Sequence, residues 1–196
     1  MKDNIKQIEQ IQRLVLDIQK IKRNHMIPET ELCENVIEHS FSIAMLCWRV
    51  YSLVNSKLNL EKIFQYALIH DFLERGLEKD VNAYATKELR DKKSIREQCV
   101  FEQLKIEFEN FPQMLQTINE YENIENDEVK FVYIIDKIQA IILGKIDNWR
   151  PYINAKISYE QFSKKIDSYT TKCPDELQEI YKSIIIHGKE TFYDQP

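Results

Sequence analysis

Two histidines and two aspartates of this 196-residue chain stand on apolar lines, where packing alone has no use for a charge. His70 and Asp71 lie side by side in YALIHDFLE, residues 66 to 74, at the end of an apolar run. At about 100° per residue, His39 shares a helical line with Val36, Ile43, Leu46 and Val50, so its ring is expected to point inward. Asp136 shares another line with Val129, Val132 and Leu143. A carboxylate on such a line needs a partner, because burying it bare costs several kcal/mol or forces it neutral. One ion would satisfy all four residues. Two imidazoles and two carboxylates form a mixed nitrogen and oxygen donor set, suited to Mn²⁺, Fe²⁺, Co²⁺, Ni²⁺ or Zn²⁺, and on an octahedral ion they leave two positions for water and substrate. A lone inward histidine is more often a satisfied core residue than a ligand, and the separations among His39, His70 and Asp136 span whole helices rather than a local ligand motif. The metal reading therefore rests on the four residues together.

Separate helices must carry them. Only three glycines and five prolines leave few breakers for a turn-rich β protein, so an all-helical chain is expected. The first helix has Ile5, Ile8, Ile11, Leu14, Val15, Ile18 and Ile21 at helical spacing, then runs through Lys20, Lys22 and Arg23 into a loop near His25 and Pro28. Asn35, with Glu38 three residues on, predicts a capping box and a helix from about Val36 that bears His39. Apolar residues on nearly every face from Phe41 to Val54 place that helix among others. After the break Asn55-Ser56-Lys57, a helix over 60 to 73 carries His70 and Asp71. Glu74 to Lys93 reads as a long polar connection, either functional or simply solvated. Helices follow over 94 to 110 and from Pro112 through Tyr121, and Asn126 caps DEVKFVYIIDKIQAIILG, which bears Asp136. Ser158 caps one further helix and Pro174 precedes the last, whose His187 has no acidic or cysteine companion and is assigned to packing or surface.

The length suits one domain over 1–196, with a core over about 23–149 and C-terminal helices over 158–192 packed on it. A net charge of -5 and a pI near 5.5 argue against a broad nucleic-acid or membrane footprint, while leaving room for a nucleotide-sized ligand. Cys33, Cys47, Cys99 and Cys173 form no C-x-x-C pair, and the opening MKDNIKQIEQIQR lacks a continuous apolar region. A reduced, soluble, cytoplasmic chain is expected.

ENVIEHS, ALIHDFLE and FVYIIDK match, in order and context, the signature of the HD-domain phosphohydrolase superfamily, in which a histidine, a His-Asp dyad and a distant aspartate bind a metal. The chain resembles that superfamily from about Arg23 to Trp149. More narrowly, it resembles the branch containing 5'-deoxynucleotidases, where EN-x-x-EHS, HD-x-x-E and a later Gly-Asp occur together. The resemblance implies an all-α fold, a single HD-domain helical bundle with flanking helices. It implies one divalent ion (Mn, Co, Fe, Ni, Zn or Mg) on His39, His70, Asp71 and Asp136. It also implies Glu74 as catalytic glutamate, Arg23 as the arginine that contacts the substrate phosphate, and Asp80 as the aspartate of the Gly-Asp pair. Lys79 replaces the glycine of that pair, Cys33 stands where relatives often place a basic residue, and no tryptophan follows Arg23.

The implied activity is hydrolysis of a phosphate monoester, a nucleoside 5'-monophosphate and first of all a deoxy form, by a water activated on the metal. Glu74 and Asp80 would divide between them, in either order, the handling of that water and the protonation of the leaving oxygen. A homodimer is implied as well. Two alternatives stand beside this: an HD hydrolase of another phosphomonoester or nucleotide second messenger, and a helical protein that binds metal and nucleotide without turnover. Without the resemblance, Glu74 and Arg23 read equally well as an exposed ion pair.

Overall fold

Side-chain caps decide where the main helices begin. The computed structural model describes residues 2–76 and 84–193. Helix α1, Lys2–Gln19, buries Leu14 and Ile18 and leads through buried Ile21 into a small antiparallel sheet. Its strands are β1, Lys22–Met26, and β2, Cys33–Asn35, with Lys22 opposite Asn35, Met26 opposite Cys33 and an irregularity between. The sequence predicts a loop here, because KRNHM has no alternation of apolar and polar residues to announce a strand.

β2 runs directly into α2, Val36–Val54. Asn35 Oδ1 accepts the N–H groups of Ile37 at 2.9 Å and Glu38 at 3.0 Å, and Glu38 accepts the Asn35 N–H at 2.8 Å, which completes the expected capping box. Helix α2 ends at Asn55 in the left-handed region, φ 55°. Helix α3, Leu60–Ile69, starts on an Asn59 cap and stops short of the expected residue 73; a 3₁₀ turn, Phe72–Glu74, takes over. Helix α4, Lys87–Glu107, starts on Thr86, well before the expected residue 94. Its first two turns hold only one apolar residue, the exposed Leu89, so no apolar stripe marks them, and the pairs Glu88–Lys92 at 2.7 Å and Lys93–Glu97 at 3.5 Å support the helix instead.

Helix α5, Pro112–Glu122, leads to α6, Asp127–Ile146, which Asn126 caps as expected. Then come α7, Arg150–Asn154, α8, Tyr159–Asp167, with a Ser158–Gln161 capping box, and α9, Gln178–Tyr193. Among the described residues β1 and β2 form the only sheet, in keeping with an all-α fold. Nor is any described helix long and apolar enough to cross a membrane. The four cysteines are free thiols.

The core has two parts. Helices α2, α3 and α6 pack on one another, and α8 and α9 close over α6. There Trp149, Tyr152, Phe162 and Phe192 form an aromatic cluster, with Phe162 stacked on Phe192 at 4.6 Å. Trp149 has φ 59°, and a Cβ on Gly144 would lie 2.8 Å from its Cε3 and 2.8 Å from Tyr152 Cε2, so that cluster needs a glycine at 144. The second part joins α1, α4 and α5 to Val36 and Ile69. Val36 and Ile69 belong to one part while Ile43 and Ala67 belong to the other, which sets His39 and His70 at the seam.

Candidate metal centre and its cavity

Three helices deliver the inward polar residues to one place. His39 lies fully buried in the first turn of α2, its Nε2 3.2 Å from Asp136 Oδ1 on α6 and 3.8 Å from Asp71 Oδ2. His70 closes α3, and its Nε2 lies 3.4 Å from the same Asp71 oxygen. One ligand atom each from His39, His70 and Asp136 lies within 4.8 Å of the others. Ligand atoms about 2.1 Å from a shared ion stand about 3 Å apart when adjacent and about 4.2 Å when opposite, so these separations suit a single ion. The end of α3 makes the dyad converge. Neighbouring side chains on an unbroken helix diverge by about 100°. Here α3 stops at Ile69 and Asp71 takes φ -109° and ψ 16°, between helix and strand, which brings its carboxylate back toward His70.

The rings are aimed from behind. His70 Nδ1 lies 2.9 Å from the Ala67 carbonyl, a contact that assigns the ring proton to Nδ1 and turns the Nε2 lone pair into the site. His39 Nδ1 faces Glu34 Oε1 at 3.4 Å. Both Nε2 atoms are buried without a hydrogen-bond partner, a costly state for an imidazole unless something binds there. Two imidazole nitrogens beside carboxylate oxygens are a donor set for a divalent transition metal, so the residues fit that group. Burial opposes ionisation of Asp71, yet His70 and Arg23 hold its pKa far below the usual carboxylate range; Lys137, then His39, outweigh burial in the same way at Asp136. Burial and Arg23 work against a charge on His39, but Asp136 and Glu34 keep its pKa above the ordinary value. Both carboxylates thus stay ionised.

Asp71 and Asp136 open onto a cavity of about 380 Å³, a volume suited to a small ligand. Arg23 and Glu74 line it too, and at 8% and 3% exposure they are not the exposed ion pair that the sequence alone allowed. Arg23 Nη1 donates to Asp71 Oδ2, and its Nε lies 3.4 Å from Glu34 Oε1. Strand pairing places that guanidinium: β1 runs along the cavity, and its consecutive residues Arg23, Asn24 and His25 all line it. Glu74 accepts a hydrogen bond from Lys93 Nζ at 2.6 Å. Asp80 lies outside the described residues.

Three participants escaped the sequence reading. Glu34 links Arg23 to His39, Lys137 Nζ pairs with Asp136 Oδ2 at 2.5 Å while lying 4.8 Å from the Tyr133 ring centre, and Lys93 reaches Glu74. A cation beside an inward aspartate was a usable signal for Lys137. Lys93 was hidden in a charged run that looked solvated.

The family described as HD domain matches residues 16–178 of the chain. No curated protein matches it. Among solved structures, a predicted metal-dependent phosphohydrolase from Magnetospirillum magnetotacticum MS-1 is similar with a TM-score of 0.75 at 17% identity, over 97% of this chain and 97% of the other. A protein from Pyrococcus horikoshii OT3 is similar with a TM-score of 0.64 at 22% identity, over 91% of this chain and 98% of the other. At these identities the two structures speak for the fold. HD domains bind divalent metals, and the cluster of His39, His70 and Asp136 agrees with that. The match over 16–178 takes in the cluster, the cavity-lining Arg23 and Glu74, and the elements that carry them: the chain belongs to the HD-domain family.

Proposed function

We propose that the chain hydrolyses phosphate monoesters with a divalent ion on His39, His70, Asp71 and Asp136, and that it acts as a 5'-nucleotidase on nucleoside or deoxynucleoside 5'-monophosphates. The observation that carries this reading is the pair of buried, unpartnered Nε2 atoms that converge with Asp136 beside a cavity lined by Arg23. When bound, the ion supplies Lewis-acid polarisation of a phosphate oxygen and a more acidic water. Arg23 offers planar donors to the phosphate, with Asp71 and Glu34 steadying the guanidinium from behind. Glu74, kept near Lys93, accepts the proton of the attacking water. As that oxygen bonds to phosphorus, the ester P–O bond breaks and the alcohol oxygen takes up a proton. Asp80 is the proposed donor, with its role and that of Glu74 exchangeable.

Phosphate release from a panel of nucleoside 5'-monophosphates with Mn²⁺ or Co²⁺ tests the reading, and no release from any of them removes it. Elemental analysis tests the ligand set: His70→Ala or Asp71→Ala is expected to abolish bound metal, and unchanged metal content would show that the constellation is wrong. Nucleotide binding that Glu74→Ala leaves untouched, in a chain that never turns over, would favour a binding protein instead.

A cytoplasmic homodimer belongs to the same proposal. The free thiols agree with a reducing compartment. Phe41, Met45 and Trp48 share one line of α2 and are exposed, as is Leu68 on α3, and Trp48 meets Phe64 edge-on at 6.2 Å. A second copy would cover such a face. Light scattering that finds only monomer would remove that part.

A further inference from the structure

The charges that the described residues place around the cavity do not balance, and the imbalance has a location. Each described carboxylate that lines it is paired with a cation that lines it: Asp71 with Arg23, Glu74 with Lys93 and Asp136 with Lys137. Among the described residues two lining cations remain, Arg90 on the first turn of α4 and Lys165 on α8, and neither makes an ion pair or side-chain hydrogen bond with any described residue. Lys165 is half-buried with its Nζ 5.5 Å from the centre of the Tyr169 ring. A half-buried ammonium without a carboxylate carries a desolvation cost that the Tyr169 ring offsets only in part. Burial first, then the charges of Arg90 and Lys137, push the Lys165 pKa below its ordinary value, so these cations repel one another across the cavity. A divalent ion on the other side would add charge of the same sign, and one phosphate dianion would offset no more than that ion.

We propose that Arg90 and Lys165 form a second anion subsite in this cavity, and that the preferred substrate is a nucleotide carrying a second phosphate group away from the 5'-phosphate that is cleaved, the simple 5'-monophosphates being weaker substrates of the same site. The assignment rests on the phosphohydrolase reading for the first phosphate. Arg23 and the metal ligands hold the scissile group, while Arg90 and Lys165 hold the second from α4 and α8, elements that take no part in the metal centre. Tyr133 and Tyr169 also line the cavity and give the body of the substrate an aromatic wall. The cavity thereby selects by charge as well as shape, and a monophosphate would leave two cations unanswered.

Phosphonates test this without turnover, because their C–P bonds resist hydrolysis. Calorimetry on the full metal-loaded chain would compare alkane-1,ω-diphosphonates of three to six carbons with the alkylphosphonate of the same length. A charge-assisted contact to a half-exposed cation is worth about tenfold in affinity, so at least one diphosphonate is expected to bind about tenfold more tightly than its single-headed counterpart. Lys165→Gln and Arg90→Gln should each remove most of that gain and shift alkylphosphonate affinity by less than about twofold. Equal affinity of both probes at every length, a gain that survives the double substitution, or no binding of either probe would overturn the subsite. A chain that prefers diphosphonates yet releases no phosphate from any ester would overturn the hydrolase reading alone.

Discussion

Replacing Glu34 with alanine should loosen two groups of the proposed metal centre at once. The His70 ring is aimed by a backbone carbonyl that no substitution deletes, whereas the His39 ring is aimed by Glu34, whose Oε1 lies 3.4 Å from His39 Nδ1 and 3.4 Å from Arg23 Nε. Partners behind a metal-binding histidine are typically worth about 10–100-fold in metal affinity, or about 1.4–2.7 kcal/mol. The 3.4 Å contacts are longer than a strong charge-assisted bond of about 2.7–2.9 Å, which puts Glu34→Ala nearer tenfold than hundredfold. Glu34→Gln keeps an acceptor oxygen and should lose less. Competition against a chelator of known affinity for Mn²⁺ or Co²⁺ measures this directly. Glu34 is buried and its loss removes a partner from two buried groups, so about 1–3 kcal/mol of stability should go with it, at about 2–4 °C of Tm per kcal/mol. The competition therefore has to be run well below the melting transition. Metal affinity within about twofold of wild type, alongside a lowered Tm, would refute the reasoning: Glu34 would then support the fold and not the ligand.

Glu74→Gln keeps the shape of a buried side chain and removes its basicity, so kcat should fall by about 10²–10⁴ with metal content intact; a loss below about tenfold would take Glu74 out of the chemistry. Gly144→Ala drives a methyl to 2.8 Å from the rings of Trp149 and Tyr152 and should cost about 1–3 kcal/mol, seen as a Tm several degrees lower; an unchanged Tm would show that the cluster yields. Burial, seconded by Glu120 at Tyr66, pushes Tyr66 and Tyr169 up to about 12 from an ordinary 10.0. A raised folded pKa means that their share of stability is complete below pH 10 and is lost as pH climbs through 12, so the urea midpoint should hold to pH 10 and then fall as tyrosinate absorbance rises; a flat midpoint to pH 12 would contradict it. Chelation should leave the helical circular dichroism within about a tenth of the loaded value, since helices α2, α3 and α6 are packed by their own apolar faces; loss of the helical signal would make the metal a folding cofactor.

The parts of this molecule that were legible in the sequence are those set by short-range geometry. Helical period alone turned His39 and Asp136 inward, and an amide or hydroxyl three residues ahead of an N–H placed the starts at Asn35, Asn126 and Ser158. The break after Ile69 was not legible, because ALIHDFLE continues an apolar run and the switch to a 3₁₀ turn answers to packing against α4 and α5. The strand that carries Arg23 was lost for want of alternation, and the start of α4 for want of an apolar stripe. Glu34, Lys93 and Lys137 were missed for a further reason. Which charges meet depends on how distant elements converge, and no local period encodes that.

Two cations, Arg23 and Lys137, explain how the site can exist before any ion arrives. Asp71 faces both imidazoles and Asp136 faces that of His39, and bare carboxylates gathered so closely would raise one another's pKa. Arg23 and Lys137 prevent this, each from outside the cluster, so the donors stay ionised and aimed. The arrangement weakens metal binding relative to a cage of unpaired carboxylates, because the incoming ion meets positive charge. It also couples the ion to the substrate. An ion that draws on the charge of Asp71 returns the Arg23 charge to the cavity, where a phosphate would meet it. By reciprocity, whatever factor the ion adds to phosphate affinity the phosphate adds to the ion's.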